Sequence, residues 1–147
     1  MSELNTILSS DIKMLRHYIK DLSFENLSET VENFQQNNPK ILHNIDFNYK
    51  NYKSENSNYK FSVSINYNCN LVSTTQNNNF LILELVYFGL FEVELKSKLD
   101  QDMLTKNALE KLYPYVKSIV EYITQRGSSI KVTLDDLNFD LLKKTNS

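Results

Sequence analysis

Residues 61–71 alternate without interruption between apolar and polar side chains, and this alternation constrains the fold more than any other feature of the chain. A period of two is typical of a β-strand with one buried and one exposed face. Residues 45–50 alternate in the same way, and residues 80–95 are first apolar on both faces and then alternate. These stretches predict an antiparallel sheet, with a hairpin turn at residues 54–58. Gly89 predicts a bulge or bend in the last stretch.

A further extended stretch precedes these three, at residues 18–25. Strict alternation would place Tyr18, Leu22 and Phe24 on one face and Asp21 and Glu25 on the other. The two carboxylates would then share a strand face and form an exposed acidic patch. Before this strand, residues 4–15 show a weak amphipathic pattern, which predicts a short N-terminal helix or a flexible segment over residues 1–13.

Beyond residue 100 the period changes to three and four residues, which predicts a long helix. Its apolar positions include Leu104, Ala108, Leu112, Tyr115, Ile119 and Ile123. Gly127 is predicted to cap the helix, and Pro114 to kink or split it. A short extended piece at residues 130–134 and a last helix from Asp135 or Asp136 follow. Because strands come first and helices afterwards, the prediction is a single α+β domain, residues 1–147.

Apolar residues cover about half the circumference of the long helix, which is more than contact with a sheet requires. The excess consists of Leu109, Tyr113 and Val120. Two explanations are open at this point. These side chains form an interface with a second subunit, or the C-terminal segment of the same chain covers them.

Charge and composition exclude several classes of function. The formal net charge is -2 and the pI about 5.7, so the chain lacks the basic surface that nucleic-acid binding requires. The apolar run at residues 80–91 is shorter than the roughly 20 residues that a membrane-spanning helix needs. The single cysteine, Cys69, cannot form an intramolecular disulfide. The first residues lack a signal-peptide pattern, so we expect a cytoplasmic protein without membrane insertion.

The reactive residues form no recognisable catalytic or metal-binding motif. His17 and His43 stand in unrelated segments, and Cys69 lies on the apolar face of its strand. With glycines at positions 89 and 127 and nowhere else, a glycine-rich phosphate loop is excluded. A metal site would need several ligands at familiar spacings. We therefore expect a non-enzymatic protein without a metal or cofactor, whose function lies in a surface.

Aromatic side chains are concentrated on and beside the predicted strands. The ordinary explanation is core packing together with strand-face tyrosines, since Tyr favours sheets. The alternative is that some of these residues line a groove for an extended apolar peptide. The groove candidates are Tyr49, Tyr52, Tyr87 and Phe88.

Five segments, in the same order, resemble the SecB family of protein-export chaperones. Residues 18–25 (Tyr-Ile-Lys-Asp-Leu-Ser-Phe-Glu) resemble the family's first-strand signature, and residues 82–91 (Ile-Leu-Glu-Leu-Val-Tyr-Phe-Gly-Leu-Phe) its central strand. Residues 112–115 (Leu-Tyr-Pro-Tyr) resemble its Phe-Pro-Tyr helix motif, and Gly127 its helix-ending glycine. Residues 138–141 (Asn-Phe-Asp-Leu) resemble the motif that opens its final helix.

This resemblance implies a holdase, a chaperone that binds unfolded precursor polypeptides without ATP and delivers them to the export motor SecA. It also implies a fold, a four-stranded antiparallel sheet with the long helix and a short final helix packed on one face. The implied assembly is a homotetramer, a dimer of dimers assembled through helices and sheet edges. Acidic residues of the first and third strands contact the motor in the family. Carried over by motif, the motor-contact positions are Asp21, Glu25, Ile82 and Glu84.

The chain also departs from the family pattern. Its tail after Leu142 is residues 143–147, whereas typical members extend further with a segment that contacts the motor. Phe88 stands where the family has a second glycine, and residues 50–79 show no match. Two alternatives therefore stay open. One is a SecB-like chaperone dedicated to a specific partner such as an antitoxin, and the other is a small-ligand-binding α+β domain whose curved sheet encloses a cavity.

Overall fold

The computed structural model describes residues 11–27, 39–52, 58–73, 79–94, 100–128 and 130–139. These residues form four strands and one helix: β1 (Ile12–Asn26), β2 (Pro39–Tyr52), β3 (Asn58–Ser73), β4 (Asn79–Glu94) and α1 (Gln101–Gly127). Neighbouring strands are antiparallel, and their order across the sheet is β1-β4-β3-β2. The predicted α+β class and four-stranded antiparallel sheet are therefore confirmed.

The sheet has an inner face that packs on α1 and an outer face that α1 does not cover. The inner face carries the odd-numbered residues of β3 and β4, which are almost all buried. Its largest fully buried side chains include Phe61, Ile65, Leu83 and Phe91, and they meet Leu104, Leu112 and Val116 of α1 in one core. The even-numbered residues of β3 and β4 lie on the outer face and are mostly half-exposed. The period of two thus separates core from surface as predicted.

Gly89 allows the helix to approach the sheet. A Cβ at this position would lie 2.7 Å from Cδ2 of Leu112 and 2.8 Å from Cε2 of Phe91. β4 passes through Gly89 without an extra residue, pairing with His17 on β1 and Val63 on β3. The predicted bulge at Gly89 is therefore wrong, and close packing of α1 accounts for the glycine.

The irregularities of this strand pair lie in β1. The register shifts between Met14 and Arg16 and again between Ile19 and Asp21. Each shift adds one residue to β1, and an added residue reverses the alternation of faces beyond it. Tyr18 consequently lies on the outer face with Asp21, which corrects its predicted grouping with Leu22 and Phe24. Residues 12–15 also belong to β1 rather than to an N-terminal helix, and residues 1–10 lie outside the described residues.

Helix α1 runs without interruption through Pro114, so the predicted split does not occur. Pro114 is exposed, where water can bind the backbone carbonyl that proline leaves without a partner. Asp100 caps the N-terminus by accepting a hydrogen bond of 3.0 Å from the backbone N–H of Asp102. Gly127 ends the helix without a left-handed backbone, and the ring of Phe24 lies against it. The predicted glycine cap is therefore wrong, because this glycine serves close packing instead.

The predicted final helix is not present in the described residues. Residues 130–138 have no regular secondary structure, and the prediction from residue 140 onward lies outside the described residues. The segment is fixed to α1 by hydrogen bonds. The backbone N–H of Val132 donates to Oγ1 of Thr124 at 2.9 Å, and the hydroxyl of Tyr113 donates to the carbonyl of Asp135 at 2.5 Å. Phe139 packs edge-on against Tyr113 with ring centroids 5.4 Å apart.

The excess apolar residues of α1 are buried within the chain, in part by this segment. Leu109, Tyr113 and Val120 are all buried within one chain, and the segment contacts Tyr113 directly. Side chains that are already buried have no surface to offer a second subunit. The prediction that these three form an oligomer interface is therefore wrong, and the C-terminal segment covers Tyr113.

Candidate functional site

The four predicted motor-contact residues lie together on the outer face of the β1–β4 pair. Glu25 is directly opposite Ile82, Ser23 is opposite Glu84, and Asp21 is opposite Val86. These are three consecutive outer-face rungs of the ladder, spaced about 7 Å apart along the strands. The carboxylates alternate between β1 and β4, and all three residues are exposed. The structure thus brings the predicted residues into one acidic surface.

An apolar ridge adjoins this acidic surface. Val86, Phe88 and Leu90 follow one another along the outer face of β4 and are half-exposed. Tyr18 lies opposite Phe88, and their ring centroids are 5.0 Å apart. Aromatic and aliphatic side chains left open to solvent in a row are typical of a protein-binding surface.

The four predicted groove residues do not share a surface. Tyr49 and Tyr87 are buried on the inner face, whereas Tyr52 and Phe88 lie on the outer face. The hydroxyl of Tyr49 bonds that of Tyr59 at 2.6 Å, and the hydroxyl of Tyr87 bonds Nδ1 of His17 at 2.6 Å. Burial raises the pKa of both phenols, so they are neutral core residues. The predicted groove is therefore wrong as a set.

Instead, exposed apolar side chains lie on β1 and α1 where the two elements adjoin. The helix runs alongside β1, because the rings of Tyr115 and His17 are 4.4 Å apart and Gly127 lies against Phe24. Between these two contacts, Ile19 and Leu22 occupy the inner face but remain 43% and 36% exposed.

From α1, Tyr115 and Tyr122 are 40% and 60% exposed. We call Ile19, Leu22, Tyr115 and Tyr122 the β1–α1 cleft. The sequence pattern did not predict this cleft, because Ile19 and Leu22 have opposite parity in the sequence and share a face only through the bulge between Ile19 and Asp21.

The cysteine and histidine side chains considered for reactive chemistry have structural roles. The Cys69 thiol is buried, and burial raises its pKa, with a hydrogen bond involving Tyr67 acting in the opposite direction. His43 bonds the hydroxyl of Tyr67 through Nδ1 at 2.6 Å, as His17 bonds Tyr87. Over the described ranges, no three His, Cys, Asp or Glu residues are grouped in a way that could hold a metal ion. In the same part of the chain, no helix has the length and apolar character to cross a membrane.

Comparison with known proteins gives relatives in sequence and in structure. The chain is 31% identical over 131 residues to the protein-export protein SecB of Orientia tsutsugamushi (strain Boryong), covering 87% of this chain and 78% of that protein. It is 29% identical over 128 residues to protein-export protein SecB 2 of Francisella tularensis subsp. novicida (strain U112), covering 85% and 82%.

Among solved structures, a SecB-like chaperone of Mycobacterium tuberculosis, in complex with a ChAD peptide from the HigA1 antitoxin, superposes with a TM-score of 0.64. The sequence identity is 14%, and the match covers 88% of this chain and 93% of that one. At this sequence identity, the structural similarity supports a shared fold. The family described as "Preprotein translocase subunit SecB" matches residues 7–146, and the chain therefore belongs to the SecB family.

Proposed function

We propose that this protein is a cytoplasmic holdase of protein export, which binds unfolded precursor polypeptides and passes them to SecA. The observation that carries the proposal is membership of the SecB family over residues 7–146. Binding without ATP is consistent with the chemistry of the surface. Each Å² of apolar area that a client removes from water contributes about 25 cal/mol, whatever the client's sequence.

Client segments are proposed to bind in the β1–α1 cleft. Tyr115 and Tyr122 present large, rigid rings, and rings of this kind contribute much contact area at a low entropic cost. Ile19 and Leu22 add aliphatic surface on the strand side. Extended apolar segments of many sequences can bury side chains there, as a general holdase requires.

The client test combines suppressed aggregation of a chemically unfolded, slowly folding protein with light scattering of the complex. Replacing Tyr115 and Tyr122 together with Ser is expected to weaken client binding at least about tenfold, because two large apolar side chains leave the cleft. Tyr18→Ser is the matched control, since Tyr18 is equally exposed but lies on the outer face. Equal client affinity in both variants and the wild type would contradict the assignment of the cleft.

The proposed oligomer is a homotetramer in which the β1 edges of two copies pair. β1 has β4 as its neighbour and lies at the edge of the described sheet. A long edge strand with exposed apolar residues tends to pair with another strand. Pairing would place the clefts of two copies side by side, between their two helices.

Light scattering tests this assembly directly. Lys at both Ile19 and Leu22 is expected to reduce the mass in solution, because four like charges would meet across the paired strands. The control is Leu42→Lys, on the opposite edge strand β2, where the side chain is 47% exposed. A tetramer that persists in the Ile19/Leu22 variant would place the interface elsewhere.

Delivery to SecA is proposed to use the acidic surface of Asp21, Glu25 and Glu84, with Ile82 beside it. Reversing charge at Asp21 and Glu25 is expected to weaken SecA binding and to leave client binding intact. Titration with purified SecA of one variant reversed at Asp21 and one reversed at Glu25 measures this. An affinity equal to that of the wild type would contradict the assigned contacts.

A dedicated partner is the second candidate function. The relative from Mycobacterium tuberculosis was solved with a peptide from an antitoxin, which shows that a protein of this fold can accept one particular peptide. A stable oligomer that ignores generic unfolded chains would favour this alternative.

The third candidate function, binding of a small ligand in a cavity enclosed by the sheet, has no support in the described core. The side chains between sheet and helix are tightly packed at Gly89. A groove of about 570 Å³ lies on α1 beside the C-terminal segment and is open to solvent.

A further inference from the structure

A histidine on the inner face of each edge strand bonds a tyrosine of the neighbouring strand. On β1, Nδ1 of His17 bonds the hydroxyl of Tyr87 at 2.6 Å. On β2, Nδ1 of His43 bonds the hydroxyl of Tyr67 at 2.6 Å. The ring centroids are 5.9 Å apart in both pairs, and each tyrosine lies opposite the residue two positions after its histidine. The sheet therefore contains the same arrangement twice, once at each edge.

The pair on β1 differs because a third ring, from α1, lies against it. The ring centroid of Tyr115 is 4.4 Å from that of His17 and 5.8 Å from that of Tyr87, and the two tyrosine planes are within 9° of parallel. Separations of about 4.5–7 Å are typical of favourable aromatic contacts. His17 is half-buried and Tyr87 is buried, whereas Tyr115 is exposed. Tyr115 thus rests on two rings that are hydrogen-bonded to each other, and the rest of its surface is open in the β1–α1 cleft.

The second ring of the cleft is held differently. Tyr122 is more exposed than Tyr115, and the guanidinium of Arg126 lies 5.5 Å from its ring centroid. Arg126 is itself exposed and has a long side chain, so it constrains the ring less than packed aromatic neighbours do. A ring that is already ordered loses less conformational freedom when a client binds. Of the two cleft tyrosines, Tyr115 is the one that the fold orders in advance.

We infer that His17 is a positioning residue of the β1–α1 cleft, which together with Tyr87 holds the ring of Tyr115 in the orientation that contacts clients. This inference rests on the proposed function, because it assigns a role in the proposed client site. His17 acts through Tyr115 and needs no contact of its own with the client. Ordering one side chain on binding corresponds to a loss of affinity of about three- to tenfold. Removal of the His17 ring should weaken client binding by this factor, although both cleft tyrosines remain.

The test measures the affinity of full-length variants for reduced, carboxymethylated α-lactalbumin, which stays unfolded without denaturant. H17A removes the ring, H17N keeps a group able to bond the Tyr87 hydroxyl but has no ring, and H17F keeps a ring without such a group. H43A is the matched control, since it breaks the same hydrogen bond at the other edge of the sheet. Thermal unfolding and light scattering establish that each variant is folded and give its mass in solution.

Two backgrounds separate positioning from a general loss of structure. In Tyr115→Ser the ring that His17 positions is absent, so adding H17A should leave client affinity unchanged. In Tyr122→Ser that ring is present, and H17A should weaken binding as much as it does in the wild type. A purely structural effect of His17 would lower client affinity equally in both backgrounds.

Client affinity is expected to fall about three- to tenfold in H17A and H17N, and to stay within about twofold of wild type in H17F and H43A. Unchanged affinity in H17A, an equal loss in H43A, or an equal effect of H17A in the two backgrounds would overturn the inference and leave the cleft assignment standing. A change of mass in H17A would show that the histidine acts on assembly, which also overturns it. If Tyr115→Ser and Tyr122→Ser both bind the client as tightly as wild type, the cleft assignment falls and the inference with it.

Discussion

Replacing Gly89 with Ala is expected to lower the free energy of unfolding by about 1–2 kcal/mol. The new methyl would lie 2.7 Å from Cδ2 of Leu112 and 2.8 Å from Cε2 of Phe91. Both side chains are fully buried, so neither can move into solvent to make room. Overpacking a core costs about 1–3 kcal/mol. The net overpacking cost is smaller by about 0.5–1 kcal/mol, because alanine loses less backbone entropy than glycine when a strand forms.

The assay is denaturant unfolding at one fixed protein concentration, since an oligomer's stability depends on concentration. The expected thermal shift is a few degrees, at about 2–4 °C per kcal/mol for a chain of this size. The decisive comparison repeats the change in a Leu112→Ala background, which itself costs about 2–5 kcal/mol. There the contact with Leu112 is gone and the vacated space leaves the Phe91 ring room to shift, so Gly89→Ala should cost less than in the wild type. An equal cost in the two backgrounds would refute contact with Leu112 as the cause.

Three further predictions concern buried polar groups. Thr124→Val should destabilise the protein by about 1–3 kcal/mol, because the buried N–H of Val132 loses its acceptor. The control is Thr105→Val, since the Thr105 hydroxyl donates to the carbonyl of Gln101 in the same helix. Equal costs would contradict a stabilising role for the hydrogen bond from Val132. Burial, and then the nearby carboxylates, raise the pKa of Tyr113 to about 12. Its stabilising contribution is therefore complete below the ordinary phenol pKa of about 10 and is lost as pH rises toward 12, so the alkaline loss measured by denaturant titration should be smaller in Tyr113→Phe. Cys69 should react with a thiol reagent only when the protein unfolds, because burial raises the pKa of its thiol; rapid labelling of folded protein would show otherwise.

The fold followed from the sequence where the local pattern and the tertiary environment agree. The alternation over residues 61–71 identified the buried face of β3, since that strand is central and is covered on one side. The shift to helical period beyond residue 100 identified α1. The acidic surface was also predicted correctly as a geometric group, because Asp21 and Glu25 lie beyond the second bulge of β1 and share one parity.

The errors arose where a contact distant in sequence decides the structure. A bulge in β1 reverses the face of Tyr18, and bulges carry no reliable local pattern. Coverage of Tyr113 by the C-terminal segment was one of two open explanations, and the pattern of α1 alone could not choose between them, because contacts distant in sequence decide it. The groove candidates failed for a different reason. Tyr87 and Phe88 are adjacent in a strand, and their opposite faces were already implied by a period of two.

The β1–α1 cleft is a consequence of strand order. Ile19 and Leu22 have the inner-face parity that marks buried residues elsewhere in the sheet, as in Leu83 and Leu85 of β4. They remain open because β1 lies at the edge, with β4 on one side and no described strand on the other. The same side chains would be core in a central strand. No local pattern encodes whether a strand is central or at the edge, so the sequence specifies the chemistry of this surface and the topology decides that it is a surface.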